Sequence, residues 1–144
     1  MIIPKIIKIM NNIDNTEQFS EDFSEFISNG IPYCDEDKER TKFLYMIFFL
    51  SLVCVTEYEH KINFKEEPGK PDILVKTPWY DAIFQINVSD SKTDEILQIK
   101  AEEALRQIDD RRYWHETIKS PIPLYKIGIA CHGKKCRVKT VLHE

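Results

Sequence analysis

The fold is set out most clearly in residues 71–88, PDILVKTPWYDAIFQINV. Two apolar runs, residues 73–75 and 82–88, are separated by a polar stretch that contains a proline, and this pattern predicts two strands. In the second run, alternate residues from the first to the last are apolar and share one face, while Gln85 and Asn87 share the other. Because no helical pattern separates the two runs, we expect the strands to lie side by side and antiparallel.

The flanking sequence extends this sheet. Residues 58–64 alternate partially and predict a strand before the pair, and the apolar run 43–55 predicts a buried helix that begins at Asp35 or Asp37. Downstream, residues 94–114 have helical periodicity, and two more strands are predicted after Pro123. The expected core stripe of the downstream helix comprises Ile96, Ile99, Ala104, Leu105, Ile108 and Tyr113.

A helix between the third and fourth strands indicates a crossover to a parallel neighbour. The predicted fold class is therefore α/β, with a central mixed sheet flanked by helices. At the start of the chain, Phe19, Phe23 and Phe26 recur at helical spacing before Asn29-Gly30. We expect a helical lead-in over residues 1–30 and one main domain over residues 31–144.

Composition excludes several classes of protein. The chain has 144 residues, 31% charged residues and a net charge of −4, which is typical of a globular domain and disfavours a strongly basic, nonspecific nucleic-acid binder. Residues 111–144 nevertheless contain 8 basic and 2 acidic residues. Lys134, Lys135 and Arg137 in this segment are our candidates for contacts with nucleic acid; a solvated basic face is the alternative.

Cysteine usage and hydropathy bear on location. The four cysteines follow neither a disulfide framework nor the spacing of a zinc finger, so we expect reduced thiols and a cytoplasmic location. The apolar run 43–55 is shorter than the roughly 20 residues that span a bilayer, and we expect no membrane partner.

Candidate chemistry is concentrated near the predicted central strands. Asp72 stands at the start of one strand, and Gln85 and Asn87 lie on one face of the next. If the strands pair, these three polar groups share one site. Taken alone, Asp72 is more typical of a turn or cap residue, because Pro-Asp pairs are common in turns; its combination with Gln85 and Asn87 favours the functional interpretation.

These residues resemble a known motif. Pro71-Asp72 followed by Gln85-Ile86-Asn87 is similar to the PD-(D/E)XK nuclease superfamily, and most similar to the nuclease-like domain at the C terminus of AAA-ATPase-like bacterial proteins. The resemblance covers about residues 24–142. It is supported by Ile31-Pro32-Tyr33, Gly69–Ile73, Ala104–Ile108 with Tyr113, and Lys126–Ala130. It implies a restriction-endonuclease-like core with the order αβββαβ.

The resemblance also implies a chemistry from which this chain departs. In the family two acids bind Mg²⁺ or Mn²⁺ and a lysine stabilises charge at the phosphate, whereas Gln85 stands at an acid position and Asn87 at the lysine position. Magnesium prefers anionic oxygen ligands, and an amide offers no charge to a phosphoryl transition state. We therefore expect a catalytically impaired pseudonuclease that acts as a binding or interaction module, with DNA or a protein as its partner.

An active enzyme remains the alternative. In it, Asp72 and Glu39 would bind the metal ion, and Lys100 on the following helix would replace the missing lysine, giving a metal-dependent DNA nuclease with rearranged ligands. Because the resemblance is to a domain of larger proteins, a longer chain or an assembly stays open as its context.

Overall fold

A computed structural model describes residues 2–31, 37–111 and 121–143. Its helices and strands follow one another in the order α1 (Ile2–Asn11), α2 (Thr16–Gly30), α3 (Lys38–Thr56), β1 (Glu59–Ile62), β2 (Ile73–Lys76), β3 (Asp81–Val88), α4 (Asp94–Arg111), β4 (Leu124–His132) and β5 (Lys135–Leu142). The predicted order αβββαβ is confirmed by α3 to β4, and two helices, α1 and α2, precede it.

The five strands form one mixed sheet in the order β1-β2-β3-β4-β5. The pairs β1–β2, β2–β3 and β4–β5 are antiparallel, while β3 and β4 are parallel and joined through α4. This arrangement confirms the predicted α/β class with a central mixed sheet. It places the start of β2 beside the middle of β3, because Ile73 pairs with Phe84.

Local signals fix where α3 begins and ends. The Asp37 carboxylate accepts hydrogen bonds from the backbone N–H groups of Glu39 and Arg40, so Asp37 caps the helix as one of the two residues predicted to do so. The helix ends at Glu57, which has a left-handed φ of 61°. Among the described residues, no helix has both the length and the apolar composition needed to cross a bilayer.

Helices cover both faces of the sheet. On one face, α1, α2 and α3 build a large core that includes Phe23, Phe49 and Phe84 in mutual ring contact. On the other face, α4 packs Leu105 and Ile108 against the sheet in a smaller cluster. The alternation predicted for β3 is confirmed, since its alternate apolar residues belong to the large core and Ile83, on the same face as Gln85, belongs to the smaller one.

The core stripe of α4 differs from the prediction. Ile96 and Ile99 are 37% and 43% exposed. The buried residues are Leu97, Ala101, Ala104, Leu105 and Ile108. These five fall at helical spacing on one face, and Ile96 and Ile99 lie outside that face. Tyr113, the last residue of the expected stripe, lies outside the described residues, as do residues 32–36.

Gly128 allows α4 to approach β4 closely. A Cβ atom at this position would lie 2.2 Å from the backbone oxygen of Ala101 and 3.1 Å from Leu105. Gly128 is also the register partner of Gln85 on β3. The absence of a side chain at Gly128 therefore sets the distance between α4 and the face of the sheet that carries Gln85.

We expect Gly128→Ala to lower the free energy of unfolding by about 1–3 kcal/mol, since the added methyl group meets helix backbone that moves only with α4. Urea denaturation measures the change. Gly30→Ala is the matched control: its Cβ would lie 2.6 Å from the tip of the Phe48 ring, which can rotate away, so the loss should be smaller. Equal losses in both variants would contradict this account of Gly128.

Candidate functional site

Asp72 is a buried carboxylate at the entrance to β2. Its Oδ2 accepts a hydrogen bond of 2.8 Å from the backbone N–H of Ile86, which lies between Gln85 and Asn87 on β3. Its own backbone carbonyl accepts from the N–H of Asn63 at 2.8 Å. The carboxylate is therefore fixed against the middle strand by its side chain and against the preceding turn by its backbone.

The second carboxylate oxygen of Asp72 faces Lys42, which extends from the second turn of α3. Lys42 Nζ lies 3.3 Å from Asp72 Oδ1 and 3.6 Å from Glu66 Oε1. The Asp72 side chain is 6% exposed and that of Lys42 is 23% exposed. One ammonium group thus serves two carboxylates at the edge of the core.

Burial raises the pKa of Asp72 above its ordinary value. The charge of Lys42 and the Ile86 N–H oppose this by favouring the ionised form, and the charge of Glu66 adds to the increase. The net direction is upward, so the cost of removing the carboxylate from water outweighs its compensation.

Gln85 and Asn87 share the face of β3 that α4 covers. Gln85 is buried, and its Oε1 has no hydrogen-bond partner within the described part of the chain. Asn87 is partly buried and donates from Nδ2 to the backbone oxygen of Lys100 at 3.3 Å. The pairing of β2 with β3 thus brings Gln85 and Asn87 next to the Ile86 backbone that Asp72 contacts.

An open cleft of about 350 Å³ lies at this end of the sheet, between the start of α3 and the middle of α4. Its lining residues are Lys38, Glu39, Lys42, Glu66, Ile86, Asn87, Val88, Lys100, Glu103 and Gln107. Glu39, Asn87 and Lys100, three of the candidates named from the sequence, therefore share one surface.

The three lysines of the cleft are all in ion pairs. Lys38 lies 2.5 Å from Asp90, and Lys100 lies 3.2 Å from Glu103 one helical turn away. Lys42 is held by Asp72 and Glu66 as described above. Each ammonium group is therefore already paired with a carboxylate, and the partner of Lys100 is Glu103 on the same helix.

The basic candidates near the C terminus lie on the β4–β5 hairpin. Lys134 is exposed in the turn, and Lys135 pairs with Asp94 at the start of α4 at 3.0 Å. Arg137 lines a separate groove between α2, α4 and β5, where its buried Nε has no hydrogen-bond partner among the described residues. The structure places these cations together on one hairpin, and none of them lines the cleft between α3 and α4; Asp72 and Gln85 are not among its lining residues either.

Lys42 is the site residue that the sequence analysis missed. It lies in the polar first turns of α3 just before the apolar run, where a lysine is usually a solvated helix residue. The available signal was its spacing from Glu39: residues three apart lie on the same side of a helix, so a site that used Glu39 would also present Lys42.

Comparison with models of known protein families identifies a match. A family model described as the PD-(D/E)XK nuclease superfamily matches residues 40–141, which cover β1 to β4, α4, most of α3 and all but the last residue of β5. Searches of curated proteins and of solved structures found no match.

Nucleases of that superfamily typically use Mg²⁺ or Mn²⁺, and the donor set here does not fit such an ion. Among the described residues, no group of three or more His, Cys, Asp or Glu side chains is placed to hold a metal. Asp72 is bonded to the Ile86 N–H and to Lys42, and the neighbouring Gln85 contributes only a neutral carbonyl oxygen. With the Lys42 ammonium 3.3 Å from Asp72 Oδ1, the anionic oxygen that a hard divalent cation requires already faces a positive charge.

The pKa of Asp72 makes a testable prediction about pH. The pKa of Asp72 is higher in the folded protein than in the unfolded chain, where it is about 3.8. Just above pH 3.8 the folded protein therefore binds more protons than the unfolded chain, which stabilises it. This stabilisation is lost as pH rises through the raised pKa of the folded state. We therefore expect the free energy of unfolding of the wild type, minus that of Asp72→Asn, to decrease with rising pH. Urea denaturation of both proteins across this window measures it.

Asp90→Asn is the control of opposite sign. Asp90 is exposed, and its hydrogen bond with Lys38 lowers its pKa, so the corresponding difference should increase with pH and be small. A difference for Asp72 that increases with pH would mean that Lys42 and Ile86 outweigh burial.

Proposed function

The chain belongs to the PD-(D/E)XK nuclease superfamily, and on that basis we propose that it is a pseudonuclease, a nuclease-like domain that binds a partner without cutting nucleic acid. Membership of the superfamily accounts for the fold, and the residues at the site argue against hydrolysis.

One observation carries the proposal: the retained acid, Asp72, has its charge balanced by Lys42 within the protein. In a metal-dependent nuclease this carboxylate must be available to a divalent ion. Gln85 and Asn87, at the positions that resemble the second acid and the lysine, bring no charge to the site. The group that would orient a metal and the group that would stabilise a phosphoryl transition state are both replaced by neutral amides.

The contacts of Lys100 and Glu39, the other charged candidates in the cleft, also argue against metal-dependent hydrolysis. Lys100, the candidate to replace the missing lysine, is engaged by Glu103 and receives the Asn87 side chain at its backbone oxygen. Using it at a phosphate would require the ion pair with Glu103 to break. Glu39 lines the cleft, and its carboxylate would have to join Asp72 beside an ammonium group that repels metal ions.

We expect purified protein to show no Asp72-dependent cleavage of supercoiled plasmid in millimolar Mg²⁺ or Mn²⁺. Wild type, Asp72→Ala and the exposed-acid control Asp90→Ala should leave the plasmid equally intact in a gel assay. Cleavage by wild type and Asp90→Ala that Asp72→Ala abolishes would refute the proposal and establish the alternative, an active metal-dependent nuclease that uses Asp72, Glu39 and Lys100.

For the partner we propose nucleic acid, bound through the β4–β5 hairpin. The supporting observation is that Lys134 and Lys135 are adjacent and exposed at the hairpin turn, with Arg137 two residues further on. Asp94 pairs with Lys135, so a phosphate group would compete with that carboxylate. We place this binding in the cytoplasm, where the reduced cysteines expected from the sequence are stable.

Binding of this kind depends strongly on salt. We expect the affinity for a duplex oligonucleotide, measured by fluorescence anisotropy, to fall as salt rises, because each neutralised phosphate releases counterions. Lys134→Glu combined with Lys135→Glu should weaken binding and reduce the log–log salt slope by about 2. Lys61→Glu, at an exposed lysine on β1, should change neither the affinity nor the salt slope. A wild type that does not bind duplex or single-stranded DNA or RNA even at low salt would leave a protein as the partner.

A further inference from the structure

The donor set around Asp72 does not fit a divalent ion, yet it surrounds a cation of the protein itself. We infer that the ammonium of Lys42 is the resident cation of the Asp72 pocket and takes the place of a metal ion there. This inference deepens the proposed function and rests on it in one respect, since it takes Asp72 as the retained acid of the site.

The pair is held by backbone constraints on both sides. Asp72 is fixed by hydrogen bonds from Ile86 to its side chain and from Asn63 to its carbonyl. Lys42 projects from a helix whose first turn is fixed by the Asp37 cap. A flexible surface ion pair has neither constraint, which is why such pairs contribute little; here both partners are positioned before they meet.

A second carboxylate converges on the same ammonium. Glu66 Oε1 lies 3.6 Å from Lys42 Nζ. The turn that carries Glu66 is held by Asn63, whose Oδ1 accepts from Glu67 N at 2.9 Å and whose Nδ2 donates to Glu67 O at 3.1 Å. Glu66 itself has a left-handed φ of 52°, a conformation that non-glycine residues adopt only where the local structure maintains it.

These contacts make the pocket anionic apart from Lys42. Two carboxylates face one positive charge, and the neighbouring Gln85 holds a buried carbonyl oxygen with no partner within the described part of the chain. An uncompensated buried carboxylate is costly, so Asp72 requires a cation or a proton. Removing the ammonium should therefore leave a vacancy that an added divalent ion can fill through Asp72 and Glu66.

The experiment compares wild type with Lys42→Met, which keeps the apolar length of the side chain and removes its charge. Thermal unfolding and Mn²⁺ binding, followed by the electron paramagnetic resonance signal of free Mn²⁺, are measured with and without millimolar Mn²⁺. We expect no Asp72-dependent binding to wild type and no change in its Tm. Without Mn²⁺, the Tm of Lys42→Met should be about 5 °C or more below that of wild type, and added Mn²⁺ should restore much of this difference.

Three variants make the result specific. Lys42→Met combined with Asp72→Asn should not respond to Mn²⁺, Lys42→Arg should behave like wild type, and Lys61→Met should show that loss of an exposed lysine alone has no effect. Mn²⁺ binding to wild type that Asp72→Asn abolishes would overturn the inference, and so would a folded Lys42→Met that gains no Mn²⁺ binding. If Lys42→Met does not fold, Mn²⁺ binding is compared between wild type and Asp72→Asn. Binding to wild type that Asp72→Asn abolishes overturns the inference, and the absence of such binding supports it.

Cleavage assays on the same samples separate this inference from the proposed function. Asp72-dependent plasmid cleavage without Mn²⁺ binding at Asp72 would refute the pseudonuclease and leave Lys42 as the resident cation. Mn²⁺ binding at Asp72 without cleavage would refute the role of Lys42 and leave the pseudonuclease standing.

Discussion

The carboxylate of Asp72 is shared between a backbone N–H of β3 and an ammonium group of α3, and the site depends on this sharing. A carboxylate at this depth is stable only if its charge is compensated, and its compensation comes from two different elements. The contact with Ile86 sets the position of β2 relative to β3, and the contact with Lys42 sets where α3 meets the end of the sheet. The same oxygen atoms that could bind a metal thus hold three elements together.

The other two site residues, Gln85 and Asn87, are uncharged amides that pack between β3 and α4. Gln85 fills a buried position beside Gly128, where α4 comes closest to the sheet, and Asn87 ties β3 to the backbone of α4. Amides can occupy such positions because they are neutral and cost less to bury than ions. At both positions a neutral side chain therefore packs against α4 without placing a charge between the helix and the sheet.

Gln85 and Asn87 at alternate positions were sufficient to predict the two faces of β3. Hydrophobic periodicity was sufficient to predict the strands and their order along the chain. It was insufficient for α4, where Ile96 and Ile99 are exposed although they are apolar. Lys42 escaped prediction for a different reason: its partner is thirty residues away, and only the packing of α3 against the sheet brings the two together. The superfamily was recognisable from the Asp72, Gln85 and Asn87 spacing, whereas the roles of these residues depend on contacts that no spacing encodes.

Each strand of the sheet lies beside the strand that precedes it in the chain. Synthesis from the N terminus therefore delivers Lys42, Asp72 and β3 before β4, against which α4 packs. During that interval the oppositely charged groups of Lys42 and Asp72 can attract each other before α4 covers the second face of the sheet. The linear arrangement of the sheet thus makes both partners of the ion pair available early in synthesis.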